Sequence, residues 1–218
     1  MITLEKPANE TERLKTLQRY QILDTPADGN FDRITALASV MFKVPIAIIS
    51  LVDTDRIWFK SHHGLNVKQI DRDPGLCASA ILLNDLYIIE NAKEDPRSIA
   101  NPLVAGEFGL RFYAATPLQT EENHNLGTLC IIDKKPRTFS QEEKHMLKVL
   151  GDIVMDEMNM RLAVREAATN IRNMAADITE NLKSAVSNIE QGSEADVISY
   201  LNATRFYMQN IQNQLNYV

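Results

Sequence analysis

The sequence predicts an α+β chain: a central antiparallel sheet flanked by helices, then a C-terminal α-helical hairpin with coiled-coil character. Three observations carry this. Short β-branched, apolar runs come in pairs joined by polar turns, as at Pro45–Val52 with Arg56–His63 and Leu110–Leu118 with Leu126–Ile132. Two amphipathic stretches precede them. After Pro136 the chain has no proline, and its apolar residues fall into heptads. The expected division is 1–162 for the sheet domain and 163–218 for the hairpin.

Asn9 followed by Glu12 has the pattern of a capping box, so a first helix is expected from Asn9 to Leu23, stopped at Asp24-Thr25-Pro26. Phe31, Ile34, Leu37, Ala38, Met41 and Phe42 define a second helix from Asn30 to about Phe42. Asn66–Pro74 is polar and is expected to be a loop, and Gly75–Leu82 a short helix of small residues. Leu86–Glu90 is a third strand, Asn91–Arg97 a turn, and Asn101–Val104 a short helical or irregular piece. Gln119–Asn125, wholly polar, suits an exposed hairpin loop. Gly127 stands in the following strand where a side chain would obstruct something.

Ser140 with Glu143 forms a second capping box, and Phe139 is placed to staple the start of a long helix. Ile171, Ala175, Ile178, Leu182, Ala185 and Ile189 are spaced 4, 3, 4, 3, 4, and a second series runs through Val197, Leu201, Thr204, Met208, Ile211, Leu215 and Val218. Gly192 suits a helix C′ position, and Ser193 with Asp196 caps the next helix. Two thin helices bury little alone, so Ile178, Leu182, Ile189, Leu201, Met208, Ile211 and Leu215 are the expected dimerisation residues of a four-helix bundle.

The 218 residues carry a formal charge of −6, which gives nucleic-acid binding no global electrostatic support. No apolar run approaches the roughly 20 residues of a membrane span, and Met1–Pro7 leads into no signal-peptide core. Two cysteines without a secretion signal point to a reducing cytoplasm. No Gly-rich phosphate loop and no Ser-His-Asp or Cys-His arrangement stands out, and His62-His63 would face opposite ways on a strand. No cofactor is indicated, and the chain reads as non-enzymatic.

The series Arg13-Leu14…Ile22-Leu23-Asp24-Thr25-Pro26…Phe31-Asp32, Pro45–Asp53, Trp58-Phe59-Lys60-Ser61, Cys77…Ala80-Ile81, Asp95-Pro96-Arg97, Asn101–Val104, Arg111–Ala114, Pro117-Leu118 and Leu126–Asp133 resembles a bacterial GAF domain over about residues 9–162. The resemblance implies a GAF/PAS-like sheet of about six strands in the order two, one, five, four, three, six. It also implies terminal helices that pair in a homodimer, and a small-ligand or signal-transmitting role upstream of a histidine kinase or cyclic-dinucleotide synthase. Here only the hairpin follows. It is similar in shape to a kinase phosphotransfer bundle, but no histidine occurs after His145, so a pseudo-phosphotransfer scaffold for a response regulator or kinase is one alternative.

The expected ligand pocket comprises Trp58, Cys77, Arg111, Tyr113, Thr128 and Cys130. Arg111 offers a guanidinium fork to an anion, against the plainer reading that it fastens a loop, the role also expected of Asp95 and Arg97. Neither cysteine is followed by the histidine typical of bilin-attaching GAF domains, and both sit in apolar sequence that favours inert core thiols. A thiol-based redox sensor or reductase using Cys77 is the remaining alternative.

Overall fold

The computed structural model describes residues 5–190 and 194–215. The chain divides into two compact units, Met1–Met160 and Arg161–Val218. In the first, helices α1 (Glu10–Tyr20) and α2 (Gly29–Phe42) lead into strands β1 (Ile46–Val52), β2 (Arg56–His63) and β3 (Gln69–Asp71). Helix α3 (Leu76–Ala80), strand β4 (Tyr87–Ile89) and helix α4 (Pro102–Ala105) follow, then β5 (Phe112–Gln119) and β6 (Asn125–Asp133). The sheet is antiparallel, in the order β3-β2-β1-β6-β5-β4.

The sheet order corrects the expectation at one edge. Gln69–Asp71, read from sequence as loop, pairs with Arg56–Trp58 and puts the sixth strand beside β2. Ile70 alone of its three residues is apolar, too short an alternation to announce a strand; the open edge of β2 supplies its order.

Local signals have mixed outcomes. Asn9 stands at the N-cap of α1 but makes no side-chain cap bond, and the helix ends earlier than Leu23, where Gln21 turns left-handed at φ 45° and its N–H bonds Gln18 O. Asp28 caps α2 by accepting from the Asn30 N–H. The second capping box forms on both sides: Ser140 N–H donates to Glu143 Oε2 at 2.8 Å, and Glu143 N–H to Ser140 Oγ at 3.2 Å. Phe139, expected to staple the next helical turn, packs at a tilt against Phe42 and Phe112 at centroid distances of 5.8 and 5.5 Å.

Sheet alternation divides the first unit's interior. Trp58 and Lys60 of β2 look toward α2: the Lys60 ammonium lies 5.4 Å from the Phe31 ring centroid and 5.9 Å from that of Trp58. Ile57 and Phe59 look to the other side, joining Ile46, Ile48, Cys77, Ile81, Ile89, Tyr113 and Cys130 in one buried cluster beneath α3.

Helix α1 is held by a buried charge group. Arg13 is wholly buried and donates to both Glu10 carboxylate oxygens, and Arg72 Nη1 reaches Glu10 Oε1 and the Asp53 carbonyl. Burial pushes the Glu10 carboxyl up, but the hydrogen bonds from Arg13 and Arg72 outweigh it and hold it at about 2 instead of the ordinary 4.5. The folded state therefore keeps Glu10 ionised where the unfolded chain protonates it. That stabilisation is complete above about pH 4.5 and drains as pH falls toward 2. Glu10→Gln is expected to cost about 2–3 kcal/mol near neutrality by removing the carboxylate charge that the two buried guanidinium groups share. It should also flatten the acid limb of a Tm-against-pH curve between those two values.

The second unit holds the remainder of α5 (Gln141–Glu190) and α6 (Glu194–Leu215), the helical hairpin. Its half-buried positions include Ile171, Met174, Ile178, Asn181 and Asn188 on α5, and Val197, Tyr200, Tyr207 and Ile211 on α6, with Ala185 and Thr204 buried. Of the expected dimerisation residues, Ile178 and Ile211 belong to this set. Leu182, Ile189, Leu201 and Met208 are exposed at 42, 62, 49 and 59%. Gly192, Ser193 and Val218 and the side chains of Asp196 and Leu215 lie outside the described residues. Among the described residues no helix is long and apolar enough to cross a membrane.

Candidate functional site

Four of the six expected pocket residues come together under α3. Alternation puts Thr128 and Cys130 of β6 on one face, Ser50 lies across from Thr128 on β1, and Tyr113 rises from β5. The Tyr113 hydroxyl donates to Cys77 Sγ at 3.3 Å, and Ser50 Oγ and Thr128 Oγ1 are 2.9 Å apart. All five residues are buried. Ser50 is the member the sequence reading passed over; its place two residues from Ile48 and from Val52 in an otherwise apolar strand was the available signal.

No charged side chain takes part in this group, so its electrostatics are those of thiols and hydroxyls in an apolar core. Hydrogen bonding from Cys130, and after it from Ser50, Tyr113 and Thr128, draws the Cys77 thiol down to about 6 against the opposing effect of burial. The neighbouring Cys77 and burial both push Cys130 well above the usual thiol range, so the pair gives up one proton far more readily than two. Burial likewise raises Tyr113, keeping its hydroxyl a donor.

The other two expected residues lie elsewhere. Trp58 is across the sheet, on the α2 side, where it helps line a cleft of about 550 Å³ with Asp32, Lys60, His62 and Lys68. A bulge decides the local geometry there: Ile49 pairs with Ser61 but Ser50 with Phe59, leaving Lys60 over. Lys60 Nζ donates to Thr25 Oγ1 and the Pro26 carbonyl, fastening the cleft's rim, and Ser61 Oγ donates to Asp32 Oδ1 at 2.6 Å. His62 Nδ1 is buried there without a hydrogen-bond partner.

Arg111 precedes β5, and its guanidinium donates to the carbonyls of Val104 and Leu110 at 2.9 and 2.8 Å, securing the end of α4. Arg97 acts similarly: it donates to Asp95 and to the Ile88 carbonyl and lies 4.8 Å from the Tyr87 ring centroid. The hairpin turn is less exposed than its composition suggests. Asn125 is buried, and its amide donates to the carbonyls of Ile81 and Leu83, anchoring the C-terminal side of α3 to β6. His124 Nδ1 shares a hydrogen bond with Thr16 Oγ1 at 2.8 Å.

An antiparallel sheet with helices on both faces and a small enclosed polar group under a short helix defines a GAF-type domain. Residues 27–158 match the GAF domain family, and the chain belongs to it. It is 39% identical over 156 residues to a cyclic di-GMP phosphodiesterase of Pseudomonas aeruginosa, a match covering 71% of this chain and 27% of that protein. The chain thus spans about a quarter of that relative. Among solved structures it is similar to the GAF domain of an Acinetobacter phosphoenolpyruvate-protein phosphotransferase, with TM-score 0.52 and 21% identity, covering 71% of this chain and 98% of that one. It is also similar to a free methionine-R-sulfoxide reductase of Neisseria meningitidis, with TM-score 0.53 and 17% identity, covering 75% of this chain and 99% of that one. At these identities the two structures share the fold.

Proposed function

We propose that this chain is a non-catalytic regulatory module that works as a homodimer joined through its C-terminal helical hairpin. A small ligand held under α3 would alter the packing of α5. One observation carries the reading: the hairpin leaves Leu182, Val186 and Ile189 of α5 and Ile198, Leu201 and Met208 of α6 exposed at helical spacing. Apolar stripes of this kind on thin helices are stabilised by a second copy. The relative's name supports a place in cyclic-dinucleotide signalling.

Co-expression of two differently tagged full chains tests this. One tag is expected to retain the other through stringent washing, and the purified protein is expected to leave cyclic di-GMP and free methionine-R-sulfoxide unconsumed. Failure of co-retention would remove the dimer. Consumption of either compound would make the chain an enzyme.

A further inference from the structure

Cys77 and Cys130 are the chain's two cysteines, and both are free thiols. They meet although they come from distant elements, Cys77 on the five-residue helix α3 and Cys130 on the central strand β6. Both sulfurs belong to the one buried cluster beneath α3, where Cys77 accepts from the Tyr113 hydroxyl at 3.3 Å. Opposite Cys130 on β5 stands Ala115, whose small side chain leaves the space above Cys130 to α3. The surroundings are unequal. Cys130 is wholly buried in the sheet, while Cys77 is 5% exposed and rides on a short helix anchored from β6 through the Asn125 amide. Inert core packing asks for no hydroxyls around a thiol, yet Ser50, Tyr113 and Thr128 gather here. Their O–H groups can stabilise a thiolate at Cys77 without any cation.

We propose that Cys77 and Cys130 form an oxidative modification site at which hydrogen peroxide converts the two thiols into an intramolecular disulfide. Cys77 reacts first. Its sulfur attacks one peroxide oxygen, the O–O bond breaks, and the departing hydroxide takes up the thiol proton as water, leaving a sulfenic acid. The Cys130 sulfur then attacks the Cys77 sulfur, the S–O bond breaks, and the hydroxyl leaves as water with the Cys130 proton. The thiol pair loses two electrons and two protons, and one peroxide becomes two waters. Tyr113 is a positioning residue for Cys77, and the product ties α3 directly to the middle of the sheet. The proposal stands apart from the dimer reading, since both thiols belong to one chain.

The test treats the folded full chain with peroxide, blocks remaining thiols with iodoacetamide and measures intact and peptide masses. The expected result is loss of two hydrogens, disappearance of both alkylatable thiols on unfolding, and one linked peptide pair joining Cys77 to Cys130, all reversed by dithiothreitol. In Cys130→Ser, Cys77 is expected to be trapped by dimedone as the sulfenic acid, which wild type does not accumulate. Tyr113→Phe is expected to slow the linkage while leaving the fold intact by circular dichroism. Sulfinic acid on Cys77 with Cys130 still alkylatable would overturn the proposal. So would a disulfide between two chains, or two unchanged thiols after prolonged exposure.

Discussion

Gly127→Val is expected to abolish folding, giving insoluble protein in place of a cooperative melt. Position 127 lies in β6, paired with Leu51 of β1 on one side and Leu118 of β5 on the other. A Cβ there would stand 1.9 Å from the Ser50 carbonyl oxygen and 2.8 Å from Leu51 Cα. Both are backbone atoms of a central strand, with no rotamer to swing aside, and β6 cannot slide because it is hydrogen-bonded along both edges. The clash exceeds what a core overpacking of about 1–3 kcal/mol describes, and a loss above about 4 kcal/mol is comparable to the whole stability of many domains. Gly151→Ala is the matched control. Its Cβ would also be close, 2.5 Å from Thr116 Cγ2, but that atom ends a side chain that can turn, and alanine favours the helix by about 1 kcal/mol. Soluble yield and thermal unfolding followed by circular dichroism check both variants. A Gly127→Val protein melting within a few degrees of wild type would show that β1 and β6 do not approach as described.

The double variant Leu182→Glu/Leu201→Glu is expected to halve the particle mass in solution while leaving the helical signal of the chain in place. Both residues are nearly half exposed, so a carboxylate on either keeps access to water in a single chain. In a dimer the same carboxylates would be buried against apolar side chains of the second copy, at a cost of several kcal/mol each without a partner. Replacing Ile178 or Ile211 by glutamate reads differently. Those positions are half-buried within the hairpin itself, and the expected loss is helicity together with association. Comparing the two pairs separates assembly from hairpin folding.

Much of the sheet domain was legible because its signals are local. Paired β-branched runs place β1 with β2 and β5 with β6, and Ser140 with Glu143 marks the start of α5. The features that escaped depend on distant neighbours. Gln69–Asp71 becomes a strand because β2 has a free edge, and Gln21 ends α1 by a left-handed turn that no glycine announces. The candidate site divides the same way. Alternation put Thr128 and Cys130 on one face of β6, and Arg111 with Tyr113 on one face of the preceding run, since period two is a property of the strand itself; that Tyr113 meets the β6 pair while Arg111 does not depends on packing. Which side of the sheet Trp58 looks to, and whether Arg111 meets a ligand or the carbonyls of Val104 and Leu110, is settled by helices packed from elsewhere in the chain. The heptads identified helices and apolar stripes, but not which positions face the hairpin and which face outward, because two overlapping stripes share one repeat.

Multi-angle light scattering of the full chain at micromolar concentration bears most directly on the regulatory dimer. The expected mass is twice the 24.6 kDa of one chain, falling to 24.6 kDa in Leu182→Glu/Leu201→Glu. A wild-type mass of 24.6 kDa at every concentration tested would rule the dimer out.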